Sequence, residues 1–323
     1  MKRSLPVTLF CLLSLLPLSA QHALELDGYG TDDERPFLLN ANLDTGLFFG
    51  MIQEWVFYDQ GGDGTYDFTE SRIDWQVCPV FYVGLSGSIE ILPRFFVALG
   101  AWIGIPGETG YMEDFDWNTT TGVWTNFSHH DNLLQSAQFA DLNAGYSIVY
   151  ESNLVVNALI GFNFQRFQFS GRDGYLEYPP GSVPVPSSGE AINYDVMFFA
   201  PYLGVETVWR ATPAFSLDFL GAVSPFLTFA VGRDYHALLN DLYYDFPRFA
   251  VTLSGVLSVS VRLSDLIDLR VKNLVVWTPP SRSGDTYLKE NGTDYFVKTT
   301  VDHGSASRIL YSLSVSLSFR FYR

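Results

Sequence analysis

Only two cysteines stand in the 323 residues, and Cys11 lies in an N-terminal apolar leader, so Cys78 alone remains in the body of the chain. An intramolecular disulfide framework is excluded. Beyond the leader no apolar run reaches the roughly 20 residues that a membrane-spanning helix needs, because Asp, Asn, Arg or Ser interrupts every candidate. A helical membrane protein is therefore not expected. Basic residues are also scarce, 19 Lys and Arg against 35 Asp and Glu, for a formal charge of −16. That balance argues against nucleic acid as a partner. The chain has no Gly-rich phosphate loop, no Ser nucleophile elbow and no ligand spacing typical of zinc, so no cofactor is implied.

What the chain does have is grease in an acidic background: 16% of residues are aromatic and mean hydropathy is +0.11. Lys2 and Arg3 precede an apolar stretch from Leu5 to Leu18 that ends at Ala20, the pattern of a secretory signal over 1–20. A periplasmic segment over 21–40 and a barrel over 41–323 are expected to follow. Apolar and polar residues alternate along the rest. Leu313, Val315, Leu317, Phe319 and Phe321 interleave with Ser312, Ser314, Ser316, Ser318 and Arg320. Leu142, Ala144, Tyr146 and Ile148 do the same against Asp141, Asn143, Gly145 and Ser147. Alternation of this kind turns one set of side chains to lipid and the other to a lumen, which reconciles greasiness with charge.

Tight connectors recur at Leu92-Pro93-Arg94, Glu151-Ser152-Asn153, Ala211-Thr212-Pro213 and Ser264-Asp265-Leu266. Longer polar stretches lie near 59–69, 107–133, 171–193, 233–245 and 279–305, and they read as loops. Four short turns and five long loops predict a ten-stranded antiparallel transmembrane β-barrel in the outer membrane, with both termini in the periplasm.

Two acidic motifs, Asp114-Phe115-Asp116-Trp117 and Asp234-Tyr235-His236, fall in polar stretches that open at the same rim of such a barrel. On spacing alone, an Asp-x-Asp is more often turn chemistry than a catalytic pair. Their joint placement brings a His, an Asp partner and two carboxylates within reach of one water, the groups that peptide hydrolysis without a covalent nucleophile requires. His129, His130 and Asp131, with Asp114, Asp116 and His236, also supply nitrogen and oxygen donors for a metal, although not at a recognised spacing. Acidic residues at Asp59, Asp63, Asp67, Glu70, Glu108, Glu113 and Asp131 would draw cationic peptides to the mouth.

Several blocks resemble the omptins, outer-membrane endoproteases of ten-stranded barrel fold: Gly46 to Gly50 with Glu54-Trp55-Val56, Ser71-Arg72-Ile73-Asp74-Trp75, and Gly110 to Trp117 followed by Trp124-Thr125, Ser128 and His130. The resemblance extends from about Asn42 to the C-terminal strand. It implies a monomeric aspartic-type endopeptidase in which Asp234 supports His236, His236 and Asp114 hold the attacking water, and Asp116 completes the carboxylate pair. Ser128 and His130 would support the site, and Glu54 would receive a basic side chain before the scissile bond. Gly232, beside Arg233, replaces a second acid of that pocket, and Asn126 replaces an acid of the pocket after the bond. A basic residue before the bond is thus expected to be preferred without being obligatory. Among residues that grip lipopolysaccharide in the family, Arg166 persists, whereas Phe162, Phe164 and Met197 suit plain acyl chains better. Two rival readings of the fold are a non-catalytic adhesin or receptor and a small pore, the latter disfavoured because ten strands leave an interior largely filled by side chains.

Overall fold

A computed structural model describes residues 38–59, 61–293, 295–298 and 302–322. The expected signal over 1–20, and the segment after it up to residue 37, lie outside the described residues. The wall is built of β1 (Leu38–Tyr58), β2 (Phe68–Leu92), β3 (Phe95–Gly104, continued by Gly107–Trp117), β4 (Trp124–Tyr150) and β5 (Leu154–Glu177), followed by the second half. There β6 is Glu190–Thr212, β7 is Phe215–His236, β8 is Asp241–Phe246 continued by Ala250–Ser264, β9 is Ile267–Thr278 continued by Asp285–Lys289, and β10 is Asp302–Tyr322. Each strand pairs antiparallel with its sequence neighbour. The ring closes where β1 pairs with β10, from Leu38↔Tyr322 to Tyr58↔Asp302. Closure gives backbone groups partners inside the sheet, the condition for strands in hydrocarbon.

Side chains follow the expected alternation. On β10, Leu313, Val315, Leu317 and Phe321 are exposed on the outer face, while Ser312, Ser314, Ser316, Ser318 and Arg320 are buried inside. Leu43, Leu85, Leu99, Leu142, Ile160, Leu203 and Phe219 continue the apolar belt around the wall. Tyr146 and Trp209 flank it toward the short turns, and Phe81 and Trp277 flank it on the other side.

The strands are far longer than the belt. β4 has 27 residues, whereas about 9–11 suffice to cross the hydrocarbon. The surplus forms a rigid collar beyond the membrane, and this corrects one expectation. Much of 107–133, 171–193 and 233–245 is strand rather than loop. In the collar the outward positions are polar, as at Arg72, Asp74, Glu113 and His129, so hydropathy loses its alternation although the strands continue.

The interior is filled in two layers. Within the belt, Asp44 accepts hydrogen bonds from Ser86 Oγ (2.7 Å), Trp102 Nε1 (3.0 Å) and Lys272 Nζ (2.9 Å), and also from Ser316. Above it lies an aromatic plug. Trp75 stacks between Phe169 and Tyr194 at ring-centroid distances of 5.5 and 5.8 Å, and Phe48, Phe139 and Phe167 pack beside them. Arg308 crosses this layer with its guanidinium 4.2 Å from the Phe198 ring and Nη1 donating to Gln165 Oε1 at 2.7 Å. These side chains occupy the waist through which a pore would run.

The Asp44–Lys272 pair gives a stability prediction. Lys272→Met strands a carboxylate that is 2% exposed, and breaking a buried pair costs about 3–5 kcal/mol. The variant should convert from its folded to its unfolded gel mobility at a lower temperature, and Asp44→Asn added to it should recover much of the loss. A single variant as heat-resistant as the parent would show that the pair does not stabilise the barrel.

Candidate active site

The site lies in the collar, on top of the aromatic plug. β3 contributes two carboxylates because a bulge resets its parity. The register of β3 with β4 shifts between Glu108 and Tyr111, where Gly110 adopts φ 70°. A Cβ at Gly110 would also collide with the Gln76 side chain. After the bulge Met112, Asp114 and Asp116 face inward, and Phe115 faces outward. Arg72 lies over the Phe115 ring at 4.4 Å, and Phe115 packs 5.3 Å from Phe127, which holds the segment against both neighbours.

Across the mouth, β7 carries Gly232, Asp234 and His236 on its inward face. Arg233 is exposed on the outer face. His236 Nε2 meets Asp234 Oδ2 at 2.5 Å. The Asp234 side chain is 2% exposed and that of His236 is 24% exposed, so the imidazole is the accessible member of the pair. Tyr243 packs edge-on against the His236 ring at 5.2 Å.

A cavity of about 250 Å³ is lined by Glu54, Asp116, Asp234, His236, Tyr243 and Asp245, among others. Its electrostatics are dominated by buried acids. Burial and repulsion from Asp116 hold the Asp114 carboxyl well above the usual carboxylate range. Burial likewise raises Asp116, partly offset by hydrogen bonds from Ser71 and Asn126. Glu54 is held well above its ordinary value by burial and by the negative charges of Asp234 and Asp245. Burial lowers the His236 imidazolium, but Asp234, Asp114 and Asp116 outweigh it and bring its pKa to about 9. One buried oxygen on each of Asp114, Asp234, Glu54 and Asp245 has no hydrogen-bond partner. A histidine whose pKa is raised, set beside buried carboxyls raised above their usual range, is a candidate proton-transfer site.

The residues expected from the sequence converge unequally. Asp116, Asp234, His236 and Glu54 share the cavity wall, and Asp114 is coupled electrically to His236 and Glu54. Ser128 stands opposite Asp114 in the β3–β4 register and is buried. His130 is buried one inward position further from the mouth, where its Nδ1 donates to the Asp173 carbonyl and burial lowers its pKa. Asn126 donates to Asp116 Oδ2 at 3.4 Å. Arg166 lies on the outer wall above the exposed Phe162, held by Asp195 through Nε at 2.9 Å and Nη2 at 2.6 Å. Among the described residues, no group of three His, Cys, Asp or Glu is arranged to hold a metal ion. Sequence reasoning missed Tyr194, Tyr243, Asp245 and Thr286. The available signal was the spacing of Asp241, Tyr243 and Asp245 at every second residue, a strand pattern inside a presumed loop.

The chain is similar to known proteins over most of its length. A family model described as the Omptin family matches residues 36–321. Protease 7 of Escherichia coli (strain K12) is 27% identical over 187 residues, covering 54% of this chain and 57% of that relative. The chain thus spans little more than half the length of that relative. The outer membrane protease OmpP of Escherichia coli (strain K12) is 24% identical over 268 residues, covering 74% of this chain and 81% of that protein. The crystal structure of the outer membrane protease OmpT from Escherichia coli superposes with a TM-score of 0.79 at 19% identity, covering 90% of this chain and 98% of that one. The protein is an outer-membrane β-barrel, and with the family model matched across the whole described wall, it belongs to the omptin family.

Proposed function

We propose that the protein is an endopeptidase that hydrolyses peptide bonds with a water activated by His236 and Asp114, facing the cell exterior. One observation carries the reading: the Asp234–His236 pair and Asp116 line one cavity from opposite walls of the collar, and Asp114 faces inward on the same strand as Asp116, within electrostatic reach of His236. In the tautomer that donates Nε2–H to Asp234, the His236 Nδ1 carries the lone pair that accepts a proton. In its neutral form His236 takes a proton from the water as it attacks the scissile carbonyl carbon, and the imidazolium so formed then returns a proton to the leaving amine. Asp234 orients the ring and stabilises its cationic form. Asp114 fixes the water, and the protonated partner within the Asp114–Asp116 pair can donate to the carbonyl oxygen as it charges. Glu54, on the cavity floor, receives a basic side chain through charge-assisted hydrogen bonds. Ser128 and His130 hold the wall behind Asp114. No metal has a part in this scheme, the substrates are cationic peptides or proteins, and the enzyme acts as a monomer.

On the outer wall, the Asp195 clamp on Arg166 and the apolar Phe162 and Phe164 favour acyl-chain contact. Refolded protein should therefore gain activity in detergent or phospholipid without added lipopolysaccharide. A strict requirement for lipopolysaccharide would contradict that account.

Replacing Asp114, Asp234 or His236 singly by Ala should lower turnover of a basic fluorogenic peptide by about 10²–10⁴-fold, with folded gel mobility retained and with no effect of EDTA on the parent. An active, folded His236→Ala protein would remove the proposed base and leave the adhesin or receptor reading as the alternative. The electrostatics add a direct test. In the parent the His236 imidazole should titrate near 9 by NMR. Asp234→Asn removes an anion that favours the charged ring, so the midpoint should move to lower pH. A midpoint that stays in place would show that Asp234 does not hold the imidazolium.

A further inference from the structure

The position that lacks an acid on β7 faces one that has it on β8. Gly232 pairs with Asp245 across the antiparallel ladder, and Asp245 is 1% exposed on the cavity wall. Two glycines border its seat. A Cβ built at Gly232 would stand 3.1 Å from the Tyr194 hydroxyl and 3.5 Å from the Asp245 Cβ, and one built at Gly304 on β10 would overlap the Asp245 carboxylate. Thr286 Oγ1 on β9 donates to Asp245 Oδ1 at 2.6 Å and fixes the rotamer. The Asp245 carboxyl lines the same cavity as that of Glu54. Glu54 Oε2 and Asp245 Oδ2 are buried without a partner.

We infer that Asp245 is a specificity-determining residue of the substrate pocket: together with Glu54 it forms a two-carboxylate receptor for the cationic side chain before the scissile bond, supplied from the strand opposite the glycine where the acid is missing. This rests on the peptidase reading of the site and deepens it. Two buried acceptor oxygens without donors are a costly arrangement. A guanidinium satisfies them, because it brings several donors in a planar fork and a positive charge to set against two carboxyl groups. The pocket is therefore stricter than Glu54 beside Gly232 alone would make it. Arginine fits better than lysine, whose ammonium cannot present parallel donors to two carboxylates.

The test compares peptides that differ only in arginine, lysine or citrulline before the bond. Citrulline keeps the shape of arginine and loses its charge. Asp245→Asn should lower the arginine-over-citrulline ratio of kcat/KM by about ten- to a hundredfold, with less effect on kcat for the citrulline peptide. Relocating the acid in the double variant Gly232→Asp with Asp245→Ala should restore much of the ratio, which a merely structural role for Asp245 would not produce. An unchanged ratio in Asp245→Asn beside a collapsed ratio in Glu54→Gln would overturn the role of Asp245 and spare the pocket. A parent that does not distinguish arginine from citrulline would overturn both. Calorimetric titration of argininamide and citrullinamide into each protein reads the same preference without turnover. Binding preference lost in Asp245→Asn supports the receptor even if no peptide is cleaved, and preference retained overturns it.

Discussion

Hydrocarbon offers no partner to a backbone N–H or C=O, so a sheet that crosses it must close on itself, and everything else in this protein is arranged around that closure. The seam between β1 and β10 runs in continuous register over the full length of both strands. A closed wall has no edge from which a strand can peel, and it stays stiff above the membrane where lipid no longer demands closure. The collar inherits the order of the belt. Its inward positions are thereby defined to within a side chain, although they lie far in sequence from the groups they face.

That stiffness explains how so many acids can be kept together. Asp114, Asp116, Asp234, Asp245 and Glu54 share one end of the barrel, and in water they would spread apart or ionise together. Packed over Trp75, Tyr194 and Phe169 they can do neither, so burial and mutual repulsion raise Asp114, Glu54 and Asp245 above the usual carboxylate range. The same field holds a proton on His236. On the proposed peptidase reading, an arrangement that is unfavourable at rest would be relieved by a cation in the pocket and by charge developing on a bound carbonyl.

Much of this was legible from the residues. The interleaving of Leu313 to Phe321 with serines fixed the inward and outward faces of β10, and the four tight connectors marked the short turns. The acidic motifs were correctly expected at one rim. Their assignment to loops was not correct, and the reason is physical: above the belt the outer face is wet, so Arg72, Asp74, Glu113 and His129 take positions that lipid would have reserved for apolar groups. Periodic hydropathy reports burial against lipid and vanishes where lipid ends, while the strand goes on. The parity change at Gly110 was also invisible, because a bulge is set by backbone geometry and by the space that Gln76 occupies.

Gly232 and Asp245 show why a site can be misread one position at a time. Along the chain, glycine at a position where the omptin resemblance implies an acid reads as a loss, and a looser pocket is expected from it. Across the ladder the two residues are neighbours, and a Cβ at 232 would press on Tyr194 while only touching Asp245. In a β-barrel the inward ends of paired residues reach the same volume from adjacent strands. Electrostatics depends on where a charge lies and not on which backbone carries it. A charge can therefore pass from one strand to its partner while the field in the pocket persists. The glycine and the aspartate are one feature of the pocket, divided between two strands.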